Sequence, residues 1–290
     1  MKLTKYLFIS ICFLSLAACS KESVDTSLDP AIGSDIADVS YGSNAQQMFD
    51  LYLPPNRSAT TTKVFIFIHG GAWMSGDKSD FTWSIPSLKN IYFPKYAIVN
   101  MNYVLGNVLT GQYALPNQID DIQAVIDLIT AKSSEWQIKP EFVLCGHSAG
   151  AHLSMYYAYT KNNPKVKAVV SLAGPTDFED TFYTSNIYLN VLFNGLVNSS
   201  SIPPGMTVNK YASPVTWIRT ESTPTIAFFG STDSTVPIID QKTSLDNKMS
   251  YYSVPYESYI WNGEHNAFAN EPNWSDISTK TKAFLALYNP

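Results

Sequence analysis

Phe142-Val143-Leu144-Cys145-Gly146-His147-Ser148-Ala149-Gly150-Ala151-His152-Leu153 decides the fold. The first four residues are apolar and predict a short buried strand, and Ala149 to Tyr159 predicts a helix. Between them lies Gly-x-Ser-x-Gly. A serine in that context sits on a sharp strand-to-helix turn with its hydroxyl exposed. Side chains two residues to either side would collide there, so both flanks are glycine. Ser148 would then lie at a helix N-terminus, where backbone N–H groups and the dipole favour developing negative charge. The stretch predicts a nucleophilic serine.

A nucleophile of this kind needs an oxyanion site, a base and an acid to orient the base. His69-Gly70-Gly71-Ala72-Trp73 follows the apolar run Val64–Ile68. A Gly-rich turn there aims backbone N–H groups at a developing oxyanion, and one such donor is worth about 3–4 kcal/mol. The N–H groups of Gly71, Ala72 and Ala149 are assigned to it. The base is sought among four histidines. His69 belongs to the Gly turn. His147 is next to the serine, so its side chain is expected to point away from it, and His152 is expected to pack within the helix. His265 remains, just after the last expected strand. A carboxylate must fix its tautomer. Asp233, in Gly230-Ser231-Thr232-Asp233, lies beyond a strand end. Asp177 lies beyond another and is the second candidate.

The rest of the chain alternates in the same rhythm. Strands are expected at Gln47–Leu53, Val64–Ile68, Ala97–Val104, Val166–Leu172, Thr225–Phe229 and Tyr256–Trp261, and helices at Asn117–Lys132 and Asp276–Tyr288. This pattern predicts an α/β fold: a mostly parallel central sheet with helices on both faces. Residues 178–218 break the rhythm and predict a short cap insertion, with short helices near Ile187 to Leu196. Its Tyr183, Tyr188 and Phe193 are either the cap's own core or a platform for a substrate ring. Asp120 and Asp121 open a helix, and no metal-ligand spacing accompanies them. No metal or other cofactor is expected.

The 290 residues carry 45% hydrophobic and 15% charged side chains, which excludes a disordered or fibrous chain. No block of like charge suggests a nucleic-acid partner. Lys2 and Lys5 followed by the apolar Tyr6–Ala18 predict a signal peptide over 1–18, too short to span a membrane as a helix. Leu16-Ala17-Ala18-Cys19 resembles the bacterial lipobox. That resemblance implies cleavage before Cys19, lipid on its sulfur, and a place in a bacterial cell envelope, in the outer membrane. Its loss leaves 17 basic against 24 acidic side chains, a net of −7. Cys145 is then the only thiol not consumed, so no intrachain disulfide is expected. Residues 19–37 are polar and read as a tether, leaving 38–290 as one domain.

The assembled motifs resemble those of bacterial α/β-hydrolase carboxylesterases, near the hormone-sensitive-lipase-like and the feruloyl/acetylxylan esterase groups. The matching pieces are His69 to Trp73, Asn102-Tyr103, Pro116 to Asp121, Gly146 to Leu153, and Gly230 to Pro237 with His265. The order Ser148, Asp233, His265 is the order of that fold. The resemblance implies ester hydrolysis through an acyl-enzyme, on short acyl or aromatic esters, with a small molecule or a polysaccharide as substrate and the membrane as a partner only through the lipid. Two departures stand out: Ala72 replaces a frequent third glycine, and Val104 replaces an arginine after Asn-Tyr. The alternatives are an amide hydrolase of the same fold (exopeptidase or arylformamidase) and a non-catalytic binding lipoprotein.

Overall fold

The computed structural model describes residues 28–289. The signal segment, Cys19 and most of the expected tether lie outside those residues. Eight strands form one sheet: β1 (Ser34–Ser40), β2 (Met48–Leu53), β3 (Val64–Ile68), β4 (Ala97–Met101), β5 (Phe142–His147), β6 (Val166–Leu172), β7 (Thr225–Gly230) and β8 (Tyr256–Trp261). Their order is β1-β2-β4-β3-β5-β6-β7-β8. β1 and β2 pair antiparallel, as do β2 and β4, and β4 through β8 are parallel. Every residue of β3 and β4 is buried, which is why β3 reads as an unbroken apolar run, and β4 as one interrupted only by Asn100, rather than as alternation.

Five longer helices cover the sheet: α1 (Asn117–Ala131), α2 (Ala149–Lys161), α3 (Ile187–Leu196), α4 (Ile238–Tyr251) and α5 (Asn273–Tyr288). α1 and α2 pack with Phe49, Ile66 and Leu144 on one face, and α5 packs with Phe65, Phe67 and Val143 on the other. α3 belongs to the cap, which lies between β6 and β7 as the sequence predicts. The cap is tied down by Ala114 N–H to Leu196 O (2.8 Å) and Asn198 N–H to Leu115 O (2.9 Å).

The register fixes where the chemistry sits. Ile68 pairs with Gly146 across β3 and β5, so the Gly-rich turn and the serine turn emerge side by side. Gly230 pairs with Trp261 across β7 and β8, so the loops carrying Asp233 and His265 also emerge together. All four leave the carboxyl ends of parallel strands, where open α/β sheets place their ligands.

The structure corrects the boundary expected at residue 37. β1 begins at Ser34. The chain before it is held by the Arg57 guanidinium, which donates to the carbonyls of Leu28 (2.6 Å), Asp29 (3.0 Å) and Ile32 (2.6 Å). β1 is an edge strand whose residues are exposed except Ser34, Ile36 and Val39, which are half-buried, so its composition looks like a tether. α4 also escapes the sequence reading. It buries only Gln241, Leu245 and Met249, one residue per turn and the first of them polar.

Candidate active site

Ser148 has φ 53° and ψ −119°, a backbone conformation that a side-chain-bearing residue rarely holds. Its N–H donates to Leu172 O at 2.8 Å, pinning the turn to β6. The flanking glycines are needed for close approach. A Cβ on Gly146 would lie 2.2 Å from Gly150 C, and one on Gly150 would lie 2.0 Å from Ile68 O. The turn is therefore wedged between α2 and the end of β3, and only glycines fit.

His265 Nδ1 lies 2.7 Å from Asp233 Oδ2. Asp233 is buried. Its other oxygen accepts from the N–H groups of Thr235 (2.8 Å) and Val236 (2.9 Å). Burial opposes its ionisation, but the bonds from His265 and from those two N–H groups outweigh that and hold the carboxyl below its ordinary range. Asp177 is elsewhere. It accepts from Ser244 Oγ and from Glu179 N–H, and its backbone is bound by Gln241. Among the described residues no hydrogen bond reaches the Ser148 hydroxyl, a common state of such sites before substrate arrives.

Gly71, Ala72 and Trp73 all have positive φ (104°, 51° and 65°). Among the described residues, the N–H groups of Gly71, Ala72 and Ala149 donate to nothing. The turn is nonetheless rigid. Tyr103 Oη donates to the carbonyls of His69 and Gly70, both at 3.0 Å. Gln118 Nε2 donates to Trp73 O at 2.8 Å. Gly71 O accepts from Ser75 N–H at 2.9 Å. Tyr103 and Gln118 stand inside motifs that the sequence offers, but their role depends on contacts across 30 residues or more. Val104 gives its N–H to Asp121 Oδ2 at 2.8 Å, so Asp121 serves the loop, while Asp120 faces Lys161 Nζ at 3.4 Å.

The other histidines separate by environment. His152 is buried, accepting from Trp73 Nε1 at 3.0 Å on Nδ1 and facing Ala212 O at 2.8 Å on Nε2. Burial depresses its pKa to about 4. His69 stacks on Tyr103 with ring centroids 4.2 Å apart. His147 packs on the residues that follow the last strand. Its ring lies against His265 (centroids 4.7 Å) and Phe268 (4.5 Å), and its Nε2 faces His265 O at 3.3 Å. Burial first, and the neighbouring His265 second, lower its pKa to about 3. It is thus a neutral wall of the site.

A cleft of about 320 Å³ opens beside this wall, bounded by Gly70, Gly71, His147, Trp83 and Phe268. The cap does not line it. Of the aromatics left open between cap core and substrate platform, Tyr183 and Phe193 are each 4% exposed and pack with Phe178 as the cap's core. Tyr188 is exposed.

The BD-FAE family model matches residues 49–249 of the chain. The probable carboxylic ester hydrolase LipM of Mycobacterium tuberculosis is 27% identical over 245 residues, covering 77% of this chain and 56% of its own. The esterase LipC of the same organism is 24% identical over 235 residues, covering 77% and 57%. The chain therefore matches just over half the length of these relatives. Among solved structures, a truncated carbohydrate esterase from gut microbiota aligns with a TM-score of 0.70 at 19% identity, covering 89% of this chain and 98% of that one. That likeness shows a common fold, the α/β-hydrolase sheet with its helices.

Proposed function

Because the chain belongs to the BD-FAE family and folds as an α/β-hydrolase, we propose that it is a serine carboxylesterase acting on short acyl esters. The observation that carries this reading is the 2.7 Å contact of Asp233 with His265, on loops beside the strained turn of Ser148. In the proposed cycle, His265 takes the Ser148 proton as the hydroxyl attacks the ester carbonyl. The resulting oxyanion is received by the N–H groups of Gly71, Ala72 and Ala149, which hold no other partner among the described residues. His265 then protonates the leaving alcohol. Water enters and gives a proton to His265 as its oxygen attacks the acyl carbonyl; the bond to Ser148 Oγ then breaks, His265 returns that proton to the Ser148 oxygen, and the acid leaves. Asp233 keeps Nδ1 protonated and stabilises the imidazolium.

The short acyl preference rests on packing. On the cap side, Trp73, Phe178 and Phe193 fill the interior with ring centroids 4.2 to 5.9 Å apart. The remaining space beside Trp73 is about 10 Å³, room for no more than about one water. A long chain has nowhere to lie there. The measurement is kcat/KM on p-nitrophenyl esters from acetate to palmitate, with acetanilide as the amide control. The expected maximum falls at acetate to butyrate. A maximum at palmitate would overturn the short-chain assignment, and a preference for the anilide would transfer the site to amide hydrolysis.

A further inference from the structure

We infer that the end of the sheet opposite Ser148 is a docking surface for an anionic lipid bilayer. All the parallel strands start at that end, and lysines gather there. Lys63, Lys95, Lys139 and Lys165 stand just before β3, β4, β5 and β6, and Lys167 is the second residue of β6. Lys248 lies in the last turn of α4, and Lys282 on the half of α5 that ends there. Glu135, Glu141 and Glu221 share this end, and each faces a cation: Lys132 at 2.7 Å, Lys139 at 2.8 Å and Arg219 at 4.0 Å. Lys95, Lys165, Lys167, Lys248 and Lys282 have no carboxylate partner among the described residues. Burial first, and then the charges of Lys139 and Lys167, hold the Lys63 ammonium below the ordinary lysine range against the pull of Glu141.

The opposite end carries the contrary sign. Asp80, Asp177, Glu179, Asp180, Asp240 and Glu271 stand in the segments that follow the parallel strands. Strands such as β3, with 5 residues, and β6, with 7, rise about 3.3 Å per residue and set the two ends roughly 20 Å apart. That is more than twice the Debye length of about 8 Å at physiological ionic strength, so a charged surface resting on one end does not feel the other. The chain's net charge of −5 is therefore no measure of how the lysine-rich end meets an anionic surface.

Two further features fit a bilayer better than another polyanion. A groove of about 510 Å³ lies between residues 92–96 and α5, and Phe93, Tyr96 and Leu285 line it together with Lys95 and Lys282. Beside it Ile91 and Leu287 are 63% and 68% exposed. Apolar side chains next to lysines suit the boundary between headgroups and acyl chains, whereas the phosphates of a nucleic acid offer the apolar ones nothing. The second feature is where the chain enters. Leu28, the first described residue, has its carbonyl bound by Arg57 Nη2 at 2.6 Å, and Arg57 Nε donates to Trp136 O at 2.9 Å. Trp136 precedes β5, so the sequence that carries the apolar leader and Cys19 joins the domain at the lysine-rich end. A bilayer holding that leader or a lipid on Cys19 meets the lysines first, and the Ser148 side faces away from it. The contact is made by the domain itself, in addition to the lipid that the sequence implies.

The test is a lysine footprint of the full chain mixed with vesicles of phosphatidylcholine alone, or with about 30% of the anionic phosphatidylglycerol added. A water-soluble N-hydroxysuccinimide ester labels accessible amines, and peptide mass mapping reads the rate at each lysine. Lys95, Lys167, Lys248 and Lys282 should react about fivefold more slowly on the anionic vesicles than on the neutral ones. Lys210 and Lys242, on the segments that follow β6 and β7, should change by less than about twofold. The difference should vanish in about 0.5 M NaCl, where screening is tighter. The triple variant Lys95→Gln, Lys167→Gln, Lys282→Gln should keep a urea midpoint near that of the wild type, because surface substitutions shift stability little. In that variant Lys139 and Lys248 should return towards their neutral-vesicle rates. Equal slowing at Lys210 and Lys242, no slowing at any lysine, or undiminished slowing in the triple variant would overturn the docking surface. Slowing of the same size by a short DNA duplex would overturn the choice of a membrane as its partner.

Discussion

Ser148 and Asp233 show how much one residue's surroundings decide. At φ 53° the serine backbone stores strain, typically about 1–3 kcal/mol, which the packing of Gly146 and Gly150 must offset. Both glycines lie within two residues of the serine, so this part of the site is legible in the amino-acid order itself. Asp233 and Asp177 are not separable so easily, since each follows a strand and a turn. What separates them is the pairing of β7 with β8, which puts Asp233 beside His265, while Asp177 is consumed by Ser244 and Glu179. Asp233→Asn should lower kcat about 10³- to 10⁴-fold by presenting the wrong tautomer to His265. Asp177→Asn should stay within about threefold of wild type, because it loses only a surface bond. Steady-state kinetics of the two variants decide it, and the reverse order would move the acid to Asp177. His147 and Trp83 are not legible as site residues in the sequence. Their positions depend on contacts with Phe268 and Trp274, more than 100 residues away.

Elements are legible in proportion to how fully they are buried. β3, β4, β5 and β7 are enclosed on both faces over most of their length, so their sequences are dominated by apolar residues, with Asn100, His147 and Thr225 as the polar exceptions. α1 shows helical spacing because Ile119, Ile122, Val125, Ile126 and Ile129 all face the core. β1 and α4 present too little apolar surface to leave a pattern, and periodicity finds neither. The chain from Lys78 to Tyr92 forms a succession of short, differently wound helical turns. No single period runs through it, although it carries the aromatic wall of the cleft. The cap falls between two core strands, where its composition breaks the rhythm of the chain, but its aromatics turn inward. Phe178 and Phe193 need to cover Trp73, whose ring they meet at 5.9 and 5.1 Å. A segment inserted over a sheet must bury its own core before it can offer a face to substrate, and composition alone does not tell the two uses apart.

At the scale of the whole molecule, the buried His69 and His152 and the half-buried His147 make stability depend on pH. His147 and His152 take up protons only near pH 3 and 4, and burial lowers the value for His69 as well. An unfolded histidine titrates at about 6.5. Below that pH the unfolded chain binds protons that the folded chain refuses, so stability falls with falling pH. The slope is at most about 1.4 kcal/mol per pH unit for each histidine. The contribution is complete above about pH 6.5 and is lost progressively towards pH 4. Asp233 adds to the loss only lower down, as pH falls from the ordinary carboxylate range towards its depressed folded value. Urea midpoints should therefore decline steadily from pH 6.5 to 4.5, and a flat midpoint would contradict the buried, neutral state of these rings. The proposed function concentrates on one atom of the chain, the Ser148 hydroxyl. The most direct measurement is covalent titration with a fluorophosphonate, followed by peptide mass mapping and by assay of residual ester hydrolysis. One adduct per chain is expected, on the peptide carrying Ser148, formed in step with the loss of activity and absent from Ser148→Ala. An adduct on another residue, or full esterase activity in Ser148→Ala, would contradict it.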